Sequence, residues 1–222
     1  MRSSFFVTVI VCVFFAACNS GSDTTTVSTN KDSASVNDSL VVTASENELL
    51  ITNVSFGKIN PKTDFEQLQK FYGEKNITDE IEYGAEGIDS FKVTRIYSGT
   101  PKEITVGWKE KKFHKEISYV ECIATGSPYQ TTDSLMINTT LDKLVKANGN
   151  KITFSGTGWD YGGRILSYNK GKLEDTPIYF QLTDMEGMSE KLMGDQELNT
   201  DMPLVKANYK KLVISKISVT FP

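Results

Sequence analysis

Two short segments of the chain have the hydrophobic spacing of amphipathic helices. They are Thr63–Gly73 and Thr139–Gly149, and each ends at a glycine, which commonly stops a helix. Thr63 followed by Glu66 has the spacing of an N-terminal capping box. The apolar positions are Phe65, Leu68 and Phe71 in the first segment and Leu141, Leu144 and Val145 in the second. The pattern predicts two short helices.

Between and after these helices, hydrophobic residues alternate with other residues, which is typical of half-buried strands. The alternating sets are Ile104, Val106 and Trp108; Ile117, Tyr119 and Glu121; Ile178, Phe180 and Leu182; and Val213, Ser215, Ile217, Val219 and Phe221. A helix covering one face of such strands is an α+β arrangement.

The order of these features is the same in the two halves of the chain. The second helix follows the first at an offset of 76 residues, and Gly158–Asp160 follows Gly87–Asp89 at an offset of 71. We therefore predict an α+β fold of two tandem repeats, each a short helix packed on an antiparallel meander sheet. The repeats are predicted to span 48–126 and 127–222, and the second carries an insertion near 183–208.

The N-terminus has the pattern of a secretory signal. Arg2 precedes the apolar run Phe5–Ala17, which is shorter than the roughly 20 residues that a membrane-spanning helix needs. Phe15-Ala16-Ala17-Cys18 resembles the lipobox of bacterial lipoproteins. The resemblance implies cleavage of signal peptide 1–17 and lipidation of Cys18, and Asn19 at the next position implies sorting to the outer membrane. Because residues 18–47 are polar and contain no aromatic residue, we expect a lipidated Cys followed by a disordered tether.

Composition excludes several classes of function. A formal charge of −4 and a pI near 5.2 argue against nucleic-acid binding, which needs a basic face. A single His, His114, argues against a His-rich metal site or a Ser-His-Asp triad. Processing would leave Cys122 as the one free thiol, which we expect to be buried. We predict no cofactor and no bound metal.

The segment Phe56-Gly57-Lys58-Ile59, the Thr63–Gly73 helix and the strands that end at Trp108 resemble a family of small bacterial envelope domains. This family includes the small outer-membrane lipoprotein of the barrel-assembly machinery and the secreted β-lactamase inhibitor protein. The resemblance covers roughly residues 54–108 and 134–182. It implies a helix-on-sheet fold and an envelope location, and it implies no binding residue.

The segment Gly156–Arg164 is the densest candidate site. Trp159, Asp160, Tyr161 and Arg164 could form an aromatic, hydrogen-bonding patch for a sugar or a peptide. The alternative is a structural turn with a buried Trp159 ring. This alternative is favoured by Ile88 at the corresponding position of the first half.

Two other segments are candidates. The insertion near 183–208 is rich in acidic residues and Met, and long loops are often functional. It lacks a calcium-loop motif, so a solvated loop is the alternative. Lysines flank His114 between two predicted strands, which is typical of a solvated turn and is compatible with contact to anionic lipid or cell-wall polymer.

These observations predict a membrane-anchored, non-enzymatic lipoprotein of the cell envelope. Its partners would be the membrane, through the N-terminal lipid, and an unidentified envelope protein or polymer. One alternative is a carbohydrate- or peptide-binding module that uses the Trp159 segment. Another is an envelope hydrolase that uses paired carboxylates in place of His.

Overall fold

A computed structural model describes residues 48–84, 87–185 and 190–222. The predicted signal peptide, Cys18 and the tether lie outside the described residues. The described chain is a mixed α+β domain built largely from antiparallel strands. None of its helices in these ranges has the length and apolar character needed to cross a membrane.

The elements follow one another along the chain with short connections. The helices are α1 (Phe65–Tyr72), α2 (Leu141–Asn148) and α3 (Pro203–Ala207), with single 3₁₀ turns at Glu74–Asn76 and Glu190–Leu192. The strands are β1 (Leu50–Thr52), β2 (Ser55–Phe56), β3 (Ile77–Tyr83), β4 (Ser90–Ile96), β5 (Ile104–Trp108), β6 (Ile117–Cys122), β7 (Gln130–Thr131), β8 (Thr153–Ser155), β9 (Ile165–Ser167), β10 (Ile178–Asp184), β11 (Glu197–Asn199) and β12 (Leu212–Thr220).

The largest sheet is antiparallel and has the strand order β10-β12-β6-β5-β4-β3. Within this sheet β6 pairs with β12, and Val120 lies opposite Val219. A second sheet has the order β11-β8-β9, and a third has the order β2-β1-β7. One bridge between Arg164 and Gln181 connects β9 to β10, so the second sheet continues from the edge of the first.

Both predicted helices are present, and both contribute to one hydrophobic core. Leu68 of α1 and Leu144 of α2 are fully buried in the same cluster as the inward-facing strand residues. The capping box lies one residue later than predicted, because Asp64 rather than Thr63 accepts the Gln67 amide at 2.9 Å. Phe71, which the pattern places on the apolar face of the helix, is 37% exposed. The neighbouring Tyr72 is buried in the core instead.

The predicted strands are also present, but two of them change face partway. In β6, Ile117 is buried and the register shifts before Tyr119, so that Tyr119 and Glu121 lie on the opposite face from Ile117. In β12 the register shifts near Ser215. A β-bulge inserts one residue and reverses the alternation beyond it. The sequence alternation therefore predicted both strands but not which side chains face the core.

The face of the large sheet opposite the core is polar. One row across its six strands consists of Thr78, Arg95, Thr105, Glu121, Ser218 and Tyr179. Arg95 forms ion pairs with Glu80, Glu82 and Glu103 on this face. Burial raises the pKa of Glu82 even though Arg95 opposes the shift. We call this surface the outer face.

Candidate functional site

The loop between β8 and β9 places the aromatic residues of the candidate site. The hydroxyl of Ser155 donates to the Tyr161 carbonyl at 2.9 Å and accepts the Arg164 amide at 3.0 Å, which closes the loop at its base. Gly163 has φ +71°, and a Cβ there would overlap the Leu182 carbonyl of β10. Glycine is therefore required where the loop lies against the neighbouring strand.

The Trp159 ring is held at the surface. It is 37% exposed, and its Nε1 donates to the Gly156 carbonyl at 2.9 Å. Tyr161 is 41% exposed and meets the Trp159 ring edge to face, with ring centroids 5.4 Å apart. The Arg164 guanidinium lies 5.3 Å from the Tyr161 ring centroid, within the range of a cation–π contact. The exposed, fixed Trp159 ring favours the binding interpretation over a buried scaffold.

A concavity of about 420 Å³ lies beside these rings. Trp159, Tyr161 and Arg164 line one side of it. The other lining residues are Ser155, Leu166, Asp195, Gln196 and Glu197. We call this concavity the Trp159 site. Asp160 is exposed but does not line the Trp159 site, so the structure brings together three of the four predicted residues.

The acidic and amide side chains of the Trp159 site come from the predicted insertion. β11 pairs with β8 so that Glu197 lies opposite Ser155, and the Gly156 amide donates to the Gln196 carbonyl at 2.8 Å. Gln196 Nε2 is occupied by the Met193 carbonyl at 2.6 Å. The Trp159 segment and the insertion, two separate candidates in the sequence, thus form one site. Glu186 and Met188 of the insertion lie outside the described residues.

His114 has a structural position at the other end of the sheet. Its ring stacks on Phe65, with centroids 3.7 Å apart, and its Nε2 lies 3.0 Å from an Asp79 carboxylate oxygen. Its carbonyl accepts the Phe65 amide at 3.2 Å, which attaches the loop to the start of α1. Of the flanking lysines, Lys112 forms an ion pair with Glu116 at 2.9 Å. These contacts hold the loop between β5 and β6 against the start of α1, which is a structural role.

Within residues 48–84, 87–185 and 190–222, no group of three or more His, Cys, Asp or Glu side chains is arranged to hold a metal ion. The Trp159 site offers one cation, two carboxylates and two aromatic rings. Such a set can bind a polar ligand with a flat apolar face.

Neither a protein-family model nor a curated protein sequence matches this chain. Among solved structures, the chain is similar to the crystal structure of the uncharacterized protein yfeY from Escherichia coli, at 12% sequence identity and a TM-score of 0.43. The alignment covers 79% of this chain and 100% of that chain. Function is therefore inferred from the residues of the Trp159 site.

Proposed function

We propose that this protein is a lipid-anchored outer-membrane lipoprotein that acts by binding an envelope polymer or protein, without catalysis. The observation that carries the proposal is the exposed Trp159 ring at the edge of a polar concavity. Trp159 and Tyr161 are exposed together, with ring contact between them, and clustered apolar surface rimmed by polar residues is typical of an interaction site. Because the hydrogen bond to Gly156 already orders the ring, little side-chain entropy is lost when a ligand stacks on it.

The anchoring part of the proposal depends on the sequence Phe15-Ala16-Ala17-Cys18. More than one acyl chain is needed for stable attachment, and a lipidated N-terminal Cys supplies this. Cys18→Ser should leave a protein that is unprocessed or leaves the membrane fraction. Mass spectrometry and detergent partitioning measure this, and a variant that keeps the mass of the lipid and is still extracted with the membrane would refute the anchor.

The duplicated architecture is part of the same proposal. In the first half a helix precedes β3, β4, β5 and β6, and in the second half a helix precedes β8, β9, β10 and β12. The last strands of the two halves, β6 and β12, are antiparallel neighbours, as a two-fold axis between repeats would require. β11 and α3 lie between β10 and β12, where the sequence predicts the insertion. This order supports two repeats whose last strands pair in the large sheet, while β8 and β9 of the second repeat lie in the second sheet.

A retention assay on insoluble cell-wall polymer tests the binding function. Trp159→Ala should abolish retention and change the free energy of unfolding by less than about 1 kcal/mol, as exposed substitutions usually do. Phe91→Ala is the matched control, because Phe91 is a 53% exposed aromatic residue on β4. We expect the control to bind as the wild type does. Retention that survives Trp159→Ala, or that falls equally in the control, would refute the Trp159 site.

A second candidate function is a carboxylate-based envelope hydrolase, because Asp195 and Glu197 line the same concavity. Glycosidases place two carboxyl groups on either side of the bond they cleave. Both side chains are exposed here, whereas the general acid of such enzymes is usually desolvated. Binding is therefore the better supported function. Release of soluble sugar from the polymer, lost in both Asp195→Asn and Glu197→Gln, would establish the hydrolase instead.

A further inference from the structure

The strand β3 forms one edge of the large sheet, at the opposite end of the strand order from β10. It pairs with β4 along its whole length, and the regular pattern already begins where the Asn76 carbonyl accepts the Tyr97 amide at 2.8 Å. In an antiparallel strand, alternate residues point their main-chain groups to opposite sides. Counting from Asn76, the amides and carbonyls of Asp79, Ile81 and Tyr83 therefore point away from β4.

This edge of β3 is open. Within residues 48–84, 87–185 and 190–222, no hydrogen bond is formed by the main-chain groups that point away from β4 between residues 79 and 83. The edge of β10 differs, because the Leu182 amide donates to the Gly163 carbonyl at 2.8 Å and Arg164 forms a bridge with Gln181. An unpaired edge of a strand is a template for a further strand. We call the segment from 79 to 83 the β3 edge.

The core side of the β3 edge ends in exposed apolar side chains. Ile77, at the start of the strand, packs against the core. Further along the same face, Ile81 is 57% exposed and Tyr83 is 72% exposed. A strand added beside β3 would place its own side chains next to these two residues. The β3 edge therefore combines free main-chain groups with apolar surface that an added strand would cover.

The outer face of the β3 edge is acidic. Glu80 and Glu82 both form ion pairs with Arg95, which also forms an ion pair with Glu103. One guanidinium thus serves three carboxylates. The pKa of Glu82 is raised, chiefly by burial and further by neighbouring carboxylates, although Arg95 opposes the shift. A further cation beside Glu80 and Glu82 would therefore be favourable.

The same charges disfavour a second copy of this chain as the added strand. In every antiparallel pairing of two β3 strands that is centred on residue 80, 81 or 82, a glutamate lies opposite a glutamate of the other copy. Like charges directly opposite each other destabilise a sheet. A strand of alternating basic and apolar residues fits instead, with cations beside Glu80 and Glu82 and apolar side chains beside Ile81 and Tyr83.

We infer that the β3 edge docks an extended segment of a partner protein in which basic residues alternate with apolar residues, added antiparallel to β3. Main-chain hydrogen bonds supply affinity in this mode, and the alternating side chains supply specificity. The β3 edge shares no residue with the Trp159 site, so this inference goes beyond the proposed function.

Synthetic peptides with blocked ends test the inference by calorimetric titration of the full chain in a non-ionic detergent. The peptide Val-Lys-Val-Lys-Val-Lys-Val should bind at least about tenfold more tightly than Val-Val-Lys-Lys-Lys-Val-Val, which has the same composition without the alternation. Residues opposite each other in an antiparallel pair share a face, so the Val amides of the alternating peptide should point toward β3. N-methylation of the Val amides should abolish binding, and N-methylation of the Lys amides should leave it unchanged.

Two variants of the protein place the peptide on β3. Ile81→Pro removes an amide that points away from β4 and should lower the affinity for the alternating peptide by about tenfold or more, since an edge strand tolerates Pro at such a position. The double variant Glu80→Gln, Glu82→Gln should also lower it by about tenfold. The matched control is Asp133→Asn with Glu190→Gln, which removes the same charge at exposed positions outside the large sheet and should bind as the wild type does.

Several results would overturn the inference. Equal binding of the alternating and block peptides would do so, as would a Val-methylated peptide that binds at least as well as the Lys-methylated one. The methylated peptides decide the question without any change in the protein. Unchanged affinity in an Ile81→Pro protein that folds as the wild type does by circular dichroism also contradicts it. Equal losses in the two charge variants would assign binding to net charge, and self-association that Ile81→Pro abolishes would assign the edge to a second copy.

Discussion

At the residue scale, burial changes the chemistry of a side chain, and Cys122 is the simplest example. It lies on β6 with 1% exposure, close to the pairing of β6 with β12. Desolvation raises the pKa of its thiol to about 11. Since the thiolate is the reactive form, Cys122 is a packing residue rather than a chemical group of the site.

This burial gives a prediction about thiol reactivity. In protein carrying Cys12→Ser and Cys18→Ser, about one Cys122 in a thousand would be ionised at pH 8, given a pKa of about 11. Labelling by a maleimide should therefore be at least about 100-fold slower in the native protein than in urea. Stopped labelling followed by mass spectrometry measures both rates. Native labelling at the unfolded rate would show that β6 is not packed as described.

At the scale of elements, the two helices occupy comparable positions on one core. Leu68 and Leu144 are both fully buried, and they belong to a cluster that includes strand residues from both halves of the chain. Because the halves share this core, they should unfold together. The helices were predictable because the apolar spacing and the terminal glycines are local signals.

A pair of core substitutions tests this shared core. Leu68→Ala and Leu144→Ala should each lower the free energy of unfolding by about 2–5 kcal/mol, since each removes a fully buried side chain. Phe71→Ala, at the 37% exposed position of α1, should cost less than about 1 kcal/mol. Urea unfolding monitored by circular dichroism should show one transition in every case. Two transitions, of which each substitution shifts only one, would mean that the halves have separate cores.

Other features at this scale depend on pairing between distant strands. The bulges in β6 and β12 reverse the face of Tyr119 and alter the face of β12 near Ser215. Alternation in the sequence does not reveal such an inserted residue, because the register of a strand is set by its pairing with the neighbouring strand. The strands were therefore predictable, and their faces were only partly so.

At the scale of the whole molecule, the candidate site exists because two remote segments meet. The sequence identified Trp159, Tyr161 and Arg164 and, separately, the acidic insertion. It contained no signal that β11 would pair with β8 and bring Asp195 and Glu197 to the aromatic rings. The Ile88 counterpart favoured a buried Trp159, yet the ring is exposed. The candidate residues could be identified from local sequence. The concavity that they form could not, because it depends on the pairing of distant segments.

The most direct measurement is the fluorescence of Trp159 during binding. The chain has two tryptophans, and Trp108→Phe leaves Trp159 as the one reporter. Soluble fragments of cell-wall polymer should change its emission in a saturable manner, with the same midpoint as the Trp108→Phe protein shows in the retention assay. Circular dichroism would verify that Trp108→Phe folds as the wild type does. Constant Trp159 emission while the protein is retained on the polymer would contradict the account, because the ligand would then be bound away from the ring.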